Sequence, residues 1–258
     1  MEKIAIYGKG GIGKSTVTSN ISAALGDMGL KVMQIGCDPK SDSTCLLMHG
    51  RRIPTVLEQL REKGDVSLAD IVFRGYHGIA CVEAGGPTPG IGCAGRGIIT
   101  AFDTLEKLGA YEEIQPDVVL YDVLGDVVCG GFAMPIRGGY ADRVLIVTSG
   151  EMMAMYAAGN IVTAIRNFEK RGYARYGGLI LNCRNVEDEY KKVEQLAAET
   201  GGSIIGVVPR DGLVQKAESA DKTVVEAWPD SELTEVFRQL AKSILENQNA
   251  ANPEESGV

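Results

Sequence analysis

A glycine-rich segment directly after the first apolar run constrains the fold of this chain more than any other feature. Residues 8–15 (GKGGIGKS) match the pattern GxxxxGK[ST], follow a predicted strand at residues 3–7 and open a predicted helix at residues 15–28. In that context glycines let backbone N–H groups surround a phosphate at the positive end of the helix dipole. We therefore expect a P-loop nucleotide site, with backbone contacts from Gly8, Lys9, Gly10, Gly11, Ile12 and Gly13.

Side chains of this loop have the functional groups that phosphate chemistry requires. Lys14 is expected to reach the β- and γ-phosphates, Ser15 to ligate Mg²⁺, and Thr16 to contact the nucleotide. Lys9 is a second, earlier lysine, and the word KGGxGKS resembles the deviant Walker A branch of P-loop ATPases. That resemblance implies a nucleotide-sandwich homodimer in which Lys9 acts on the partner's nucleotide. A solvated loop lysine is the alternative.

Strand-like apolar runs alternate with helical patterns along the whole chain. Strands are predicted at residues 3–7, 31–35, 79–83, 117–122, 143–148, 176–182 and 203–208. Helices are predicted at residues 15–28, 54–63, 68–71, 97–108, 152–171, 187–200 and 233–246. This alternation indicates a single α/β P-loop NTPase domain, residues 1–247, with a mostly parallel sheet flanked by helices. Residues 248–258 are expected to form a polar tail.

Composition excludes several classes of protein. The net charge of −8 argues against a general nucleic-acid binder. No apolar run approaches the ~18 residues of a membrane-spanning helix, and the first residues lack the layout of a signal peptide. We therefore expect a cytoplasmic protein that binds neither nucleic acid nor membrane. The 33 glycines exceed the usual share of ~7%, and they fall in short clusters at predicted strand ends.

Acidic residues follow two of the predicted strands. Asp38, Lys40 and Asp42 lie in the loop CDPKSDST after the second strand, where carboxylates can orient water or hold Mg²⁺. Asp122 ends a buried strand in a Walker-B-like position, and Asp126 follows it. We expect Asp38 or Asp126 to orient the attacking water, and the sequence does not rank them. Asx turns and helix caps are the alternative use of such residues.

Two cysteines lie in glycine-rich loops. Cys93 is within GIGCAGRG and Cys129 within VVCGGF, so both have small neighbours that expose backbone N–H groups. Such N–H groups tune iron–sulfur clusters, which take four thiolates. A two-fold dimer would supply two cysteines from each chain. From the residues alone, buried inert cysteine is the favoured interpretation.

Longer words resemble one family. Four segments together resemble the nitrogenase iron-protein family: CDPKSDST, VEAGGPTPGIGCAGRG, YDVLGDVVCGGFAMPIR and SGEMMAMYAA. The resemblance implies a homodimer bridged by one [4Fe–4S] cluster on Cys93 and Cys129, with MgATP hydrolysed to ADP in each subunit. It also implies that residues 122–129 link nucleotide to cluster. It implies a ferredoxin or flavodoxin donor, a larger metalloenzyme partner, and docking through Arg96 and Arg137, for which a plain surface role is the alternative.

The base of the nucleotide is assigned to residues late in the chain. Asn182 ends a predicted strand, and an amide with a carboxylate can read the edge of adenine. The resemblance implies that Asn182, Pro209, Asp211, Gln215 and Glu218 surround base and ribose. For Gln215 and Glu218 the alternative is a solvated helix face.

Several functions stay open on the sequence. SGEMMAMYAA is close to true nitrogenase iron proteins, whereas Cys45 and residues 53–64 are closer to nitrogenase-like reductases that act on tetrapyrroles (F430 or chlorophyll pathway) or methylthio-alkanes. The lack of a long C-terminal extension also favours the second group. A partitioning-type P-loop ATPase is a more remote alternative that gives no reason for the cysteine loops. An iron–sulfur carrier ATPase would typically bring a CxxC pair, which this sequence lacks.

Overall fold

One sheet of eight strands is the centre of the structure, a computed structural model that describes residues 1–86, 94–125 and 133–246. The strands are β1 (Glu2–Tyr7), β2 (Val32–Gly36), β3 (Phe73–Arg74), β4 (Ala80–Glu83), β5 (Val118–Asp122), β6 (Arg143–Thr148), β7 (Arg175–Asn182) and β8 (Ile204–Val208). Their order is β3-β4-β2-β5-β1-β6-β7-β8. The pairing of β3 with β4 is antiparallel, and the remaining pairings are parallel. Strand β1 is interior, so the P-loop leaves the middle of the sheet.

Helices cover both faces of this sheet. They are α1 (Lys14–Asp27), α2 (Val56–Lys63), α3 (Leu68–Ile71), α4 (Ala94–Lys107), α5 (Ala110–Ile114), α6 (Met134–Arg137), α7 (Met152–Glu169), α8 (Glu189–Glu199), α9 (Gly212–Ser219), α10 (Val224–Ala227) and α11 (Glu232–Glu246). Alternate residues of each strand point to opposite faces. Ala5 and Tyr7 of β1 share a core with α4 and α7, whereas Ile4 and Ile6 share the other core with α1 and α11.

Helix α1 is buried on more sides than its apolar pattern indicates. Its small polar residues Ser19, Asn20 and Ser22 are buried and hydrogen-bonded. The Ser22 hydroxyl donates to Oε1 of Gln34 at 2.7 Å, and Oδ1 of Asn20 accepts from the Val224 backbone at 2.8 Å. These bonds satisfy polar groups that would otherwise be costly to bury, so the helix is enclosed between sheet and α11.

The alternating α/β architecture predicted from the sequence is confirmed, with strand and helix ends that differ by a few residues. The sequence prediction did not include β3, α5, α6 or α10, and it offered a helix at α9 only as the alternative for Gln215 and Glu218. Each of these is short, and α10 is a single turn held by tertiary contacts such as the bond from Asn20. Short elements of this kind have little periodicity of their own, because packing rather than pattern stabilises them.

Candidate nucleotide-binding site

The P-loop lies at the carboxyl edge of the sheet between β1 and α1. Gly11 (φ 77°) and Gly13 (φ 90°) adopt the left-handed conformation that favours glycine. Gly13 is the N-cap of α1, and no side chain caps this helix end. The first N–H groups of α1 therefore keep their capacity to bind an anion, as a P-loop requires. Lys9 and Gly10 are exposed at the rim of the loop.

A buried ion pair lies at the base of this loop. Lys14 is 6% exposed and Asp122 is 0% exposed, and Lys14 Nζ lies 2.5 Å from Asp122 Oδ1. The Ser43 hydroxyl donates to the second oxygen, Oδ2, at 2.7 Å. A buried carboxylate needs such partners, since an uncompensated charge would be costly. Asp122 therefore joins the P-loop lysine to the loop after β2.

The loop after β2 contains the Asx turn that the sequence left open for Asp38. Oδ1 of Asp38 accepts from the Lys40 backbone at 3.0 Å. Asp38 is half-buried, and the side chains of Lys40 and Asp42 are exposed. The Lys40 carbonyl accepts from Arg52 Nη2 at 2.8 Å, which fixes the tip of the loop. Asp38 therefore has a local structural use, and its second oxygen, Oδ2, is not part of this turn.

The chain after β5 lies directly on the P-loop. A Cβ at Gly125 would overlap the carbonyl oxygen of Gly8 and would lie 3.1 Å from the Lys9 nitrogen. A Cβ at Gly8 would in turn lie 2.5 Å from the Val147 carbonyl oxygen. Both glycines are therefore required by close approach of backbones. Asp126, the next residue after Gly125, lies outside the described residues.

Glu83 is a buried acid at this edge that the sequence analysis did not select. It ends β4 and is 1% exposed. Burial raises the pKa of Glu83 to about 8, the Thr44 donors act against this, and the nearby carboxylates of Asp122 and Asp42 add to it. The available signal was an acidic residue at the end of an apolar strand and before glycines, the same signal that singled out Asp122.

The residues assigned to the base surround one cavity of about 180 Å³ beside the P-loop. It is lined by Gly13, Thr16, Asn182, Pro209, Asp211, Gln215 and Glu218 among others. Thr16 Oγ1 donates to Oε1 of Glu218 at 3.0 Å, so α1 and α9 meet across it. Asp211 also caps α9, since its Oδ1 accepts from the Leu213 backbone at 2.8 Å. The structure thus brings all five predicted base residues together.

Two side chains at and just after the end of β7 hold the outer half of the P-loop. Asn182 Nδ2 donates to the Ile12 carbonyl at 2.7 Å, and Arg184 Nη2 donates to the Gly11 carbonyl at 2.9 Å. Arg184 also lines the cavity, and the sequence analysis did not select it. No motif marks this arginine, because its role depends on the distance between β7 and the P-loop in the folded chain.

The cysteines and arginines assigned to the cluster are only partly within the described chain. Cys93 and Cys129 lie outside it, as does the side chain of Arg137 at the end of α6. Arg96 is exposed in the first turn of α4. The described cysteines are Cys37 and Cys81, which are buried, and Cys45 and Cys183, which are half-buried.

Burial disfavours the thiolate at each described cysteine. It raises the pKa of Cys37 well above the usual value and that of Cys81 to about 12. Thiolate is the form that binds iron, so burial works against iron binding by these thiols. Within residues 1–86, 94–125 and 133–246, no group of three or more His, Cys, Asp or Glu side chains is arranged to hold a metal ion. Nor does a helix in these ranges have the length and apolar character to span a membrane.

Comparison with known proteins gives a family match over nearly the whole chain. The family described as 4Fe-4S iron sulfur cluster binding proteins, NifH/frxC family, matches residues 2–257. The nitrogenase iron protein of Methanospirillum hungatei JF-1 is 56% identical over 257 residues, covering 98% of this chain and 91% of that protein. Nitrogenase iron protein 2 of Methanothermococcus thermolithotrophicus is 51% identical, with the same coverage of 98% and 91%.

Solved structures with a similar fold are more distant in sequence. The cell division ATPase MinD of Pyrococcus furiosus superposes with a TM-score of 0.72 at 20% identity, covering 95% of this chain and 98% of that one. MinD of Pyrococcus horikoshii OT3, solved with Mg-ADP, gives a TM-score of 0.73 at 20% identity, with coverage of 96% and 98%. At this identity the likeness establishes the α/β P-loop fold and nothing about activity.

Proposed function

The chain belongs to the NifH/frxC family of 4Fe–4S iron–sulfur cluster binding proteins, and from this we propose that it is an ATP-hydrolysing electron-transfer protein, the iron protein of a nitrogenase or nitrogenase-like system. The close similarity to two nitrogenase iron proteins over 98% of the chain supports this assignment. The observation that carries it is the family match over residues 2–257, and the contact of Gly125 with Gly8 adds that the P-loop adjoins the chain that leads to Cys129.

MgATP would bind with its phosphates on the P-loop. The uncapped start of α1 and the left-handed glycines offer N–H groups to the β-phosphate, and Lys14 would leave Asp122 for the β- and γ-phosphates. The Ser15 hydroxyl would ligate Mg²⁺, with Asp122 and Asp42 holding its water ligands. Exchange of the Lys14–Asp122 pair for a phosphate contact changes the charge next to Ser43. Nucleotide binding would therefore be sensed by the loop after β2.

Hydrolysis requires a group that orients water and a charge that stabilises the transferred phosphoryl group. Asp38 and Asp126 are the candidates for the first role, and Asp38 has one oxygen outside its Asx turn. Lys9 is exposed, so in a homodimer it could reach the nucleotide of the other subunit. Lys40 would contact the phosphates from the tip of its loop.

Adenine and ribose would occupy the cavity beside the P-loop. Asn182, Pro209, Asp211, Gln215 and Glu218 line it, and the Thr16–Glu218 bond closes one side. The 180 Å³ of this cavity suit part of a nucleoside, with the remainder facing solvent or a partner subunit. Arg184 adds a cation between the cavity and the P-loop.

Cys93 and Cys129 would hold the [4Fe–4S] cluster, two from each chain of a homodimer. The cluster accepts and releases one electron at a time when bound. The buried positions of Cys37 and Cys81 support this choice, since burial raises the pKa of both thiols and disfavours the thiolate that binds iron. Arg96, exposed on α4 three residues after Cys93, would meet an acidic face of the larger metalloenzyme, together with Arg137. A ferredoxin or flavodoxin would supply the electrons.

The proposed function is tested by the cluster and its ligands. Anaerobically prepared protein should be brown and, when reduced, give the EPR signal of a [4Fe–4S]⁺ cluster. Cys93→Ser and Cys129→Ser should each lose the cluster, and the half-buried Cys45→Ser should keep it as a matched control. A cluster that survives both loop substitutions would refute the ligand assignment. Capture of the catalytic partner from anaerobic extract distinguishes a nitrogenase from a tetrapyrrole or methylthio-alkane reductase.

A further inference from the structure

Glu83 holds the end of the loop that follows β2. This loop, residues 37–44 (CDPKSDST), is called the nucleotide loop below. Its Oε1 accepts two hydrogen bonds from one residue, from the backbone N–H and from the hydroxyl of Thr44, each at 2.7 Å. Within the described residues Oε2 has no hydrogen-bond partner. A fully buried carboxyl that binds both donors of a single residue is a specific contact rather than a solvated side chain.

Glu83 and Asp122 occupy equivalent places on either side of β2. Gly36, the last residue of β2, is level with Glu83 of β4 and with Asp122 of β5. A Cβ at Gly36 would overlap the Glu83 carboxyl and would lie 2.7 Å from Cβ of Ser43. The absence of a side chain at Gly36 therefore lets the nucleotide loop fold back over β2.

Consecutive residues of that loop are thus held by two different strands. Ser43 donates to Asp122 Oδ2 at 2.7 Å, and Thr44 donates to Glu83 Oε1 at 2.7 Å. Asp122 is followed by residues 123–125 and then, along the chain, by Cys129. Glu83 is followed by Ala84, whose backbone donates to the Gly36 carbonyl at 2.8 Å, and ten residues after Glu83 by Cys93.

We propose that Glu83 is a positioning residue that couples the nucleotide loop to the chain segment carrying Cys93, in parallel with the coupling of Asp122 to Cys129. This inference rests on the proposed function. Displacement of Ser43 when Lys14 leaves Asp122 also displaces Thr44, because the two residues are adjacent. Because Thr44 is hydrogen-bonded to Glu83, its displacement also shifts Glu83, from which the chain continues to Cys93. Both cluster ligands of one chain would respond to one nucleotide.

The chemistry of Glu83 suits this mechanical role. Its Oε1 accepts from Thr44 whether or not the carboxyl carries a proton, so glutamine preserves the contact. Alanine removes it and leaves two buried donors of Thr44 without an acceptor. Thr44→Val removes the hydroxyl donor from the opposite side at nearly constant volume. Comparison of these variants distinguishes the loss of the Thr44–Glu83 hydrogen bond from the loss of the ionisable carboxyl of Glu83.

The test uses the anaerobic, cluster-loaded protein and an iron chelator as the probe. The rate of iron removal is measured with and without MgATP, and the dissociation constant of a fluorescent ADP analogue is measured separately. We expect Glu83→Ala and Thr44→Val to reduce the MgATP-dependent change in chelation rate about tenfold, the size expected for loss of a buried hydrogen bond. Glu83→Gln should retain it. ADP affinity and cluster content should stay near those of the unmodified protein.

Thr234→Val is the matched control, since Thr234 is a fully buried threonine of α11 whose hydroxyl donates to the Trp228 carbonyl and contacts neither Glu83 nor the loop after β2 in the described hydrogen bonds. It should leave the MgATP response unchanged. A full MgATP response in both Glu83→Ala and Thr44→Val would overturn the inference, and so would a loss in Glu83→Gln equal to that in Glu83→Ala. If Glu83→Ala does not fold, Thr44→Val and Glu83→Gln decide. A missing MgATP response in the unmodified protein would instead contradict the proposed function.

Discussion

Charged side chains at the carboxyl edge of the sheet differ in the ion-pair and hydrogen-bond partners that surround them. Lys14 and Asp122 neutralise each other in a buried pair, and the Glu83 carboxyl accepts from Thr44 without a cationic partner among the described residues. The two acids therefore differ in their partners although both end apolar strands. Asp122 contacts Lys14 and Ser43, whereas burial raises the pKa of Glu83 and so favours its neutral form.

Removal of Lys14 should destabilise the fold as well as abolish nucleotide binding. Lys14→Met leaves the Asp122 charge buried without compensation, which lowers the free energy of unfolding by about 3–5 kcal/mol. Urea denaturation of the nucleotide-free protein measures it. The double substitution Lys14→Met with Asp122→Asn should recover most of the stability and none of the nucleotide binding. Lys63→Met, at an exposed pair with Asp70, should change stability by less than about 1 kcal/mol. Equal stabilities of Lys14→Met and the unmodified protein would contradict the buried pair.

The raised pKa of Glu83 predicts a pH-dependent stability. The folded carboxyl keeps its proton up to about pH 8, whereas an unfolded glutamate loses it near its usual pKa of about 4.3. Folding therefore takes up a proton between these values, and stability falls as the pH rises through this window. Glu83→Gln has no such dependence, so its advantage over the unmodified protein should grow from about pH 5 to about pH 8, by up to ~1.4 kcal/mol per pH unit. Urea unfolding across this range measures it, and a constant difference would show that Glu83 titrates normally.

At the scale of elements, strand ends and loops are placed by close backbone contacts rather than by side chains. The segment after β5 lies on the P-loop at Gly125, and the nucleotide loop folds over Gly36 at the end of β2. Both contacts depend on the order β4-β2-β5-β1, which brings these four strand ends together. Asn182 and Arg184 add hydrogen bonds from β7 on the other side. The P-loop is therefore held from both sides of β1, by the segment after β5 on one side and by residues at and after the end of β7 on the other.

Alanine at Gly125 should separate the P-loop from the segment after β5. Its Cβ would overlap the backbone of Gly8, which has no side chain that could move away, so we expect a loss of about 1–3 kcal/mol in unfolding free energy. Gly10→Ala is the matched control, because Gly10 belongs to the P-loop that Gly125 contacts. A Cβ at Gly10 meets nothing within 4 Å among the described residues. Thermal and urea unfolding compare the two. A larger loss for Gly10→Ala than for Gly125→Ala would contradict the proposed contact.

The whole molecule combines a fold shared with MinD proteins and a sequence that matches one family over nearly its whole length. Its sheet and helices superpose on MinD proteins at 20% identity, whereas the family match depends on the whole chain from residue 2 to residue 257. A sheet of this type tolerates many sequences, because its core needs only apolar residues in the right pattern. We therefore expect function to depend on the strand ends and, under the proposed function, on the loops with Cys93 and Cys129.

A cluster shared by two chains predicts a fixed stoichiometry. A [4Fe–4S] cluster with two cysteines from each chain gives about two iron atoms per chain in a homodimer. Native mass spectrometry with iron analysis measures both quantities on the same anaerobic sample. Cys129→Ser should yield protein without iron, and the dimer should weaken with it because the bridge is lost. A monomer that holds four iron atoms would contradict the shared cluster.

Much of the site could be predicted from the sequence, since its signals are local. The P-loop motif and Asp122 at the end of an apolar strand are local signals whose chemistry follows from neighbouring residues, whereas the role predicted for Cys93 and Cys129 required the family resemblance. Glu83 gave the same signal as Asp122 but in a weaker form, and Arg184 gave none. The short element α10 was missed because tertiary contacts stabilise it.

The sequence by itself determined the α/β class, the phosphate-binding loop and the family, because hydrophobic period and short motifs need no knowledge of distant contacts. Only the tertiary structure decided which groups meet. Lys14 and Asp122 are 108 positions apart, and Thr44 and Glu83 are 39 apart. Their pairing depends on the strand order, which places β2 between β4 and β5. Charge and protonation at the site follow from that arrangement, since burial and partners, not residue type, set the energy of each ionised group.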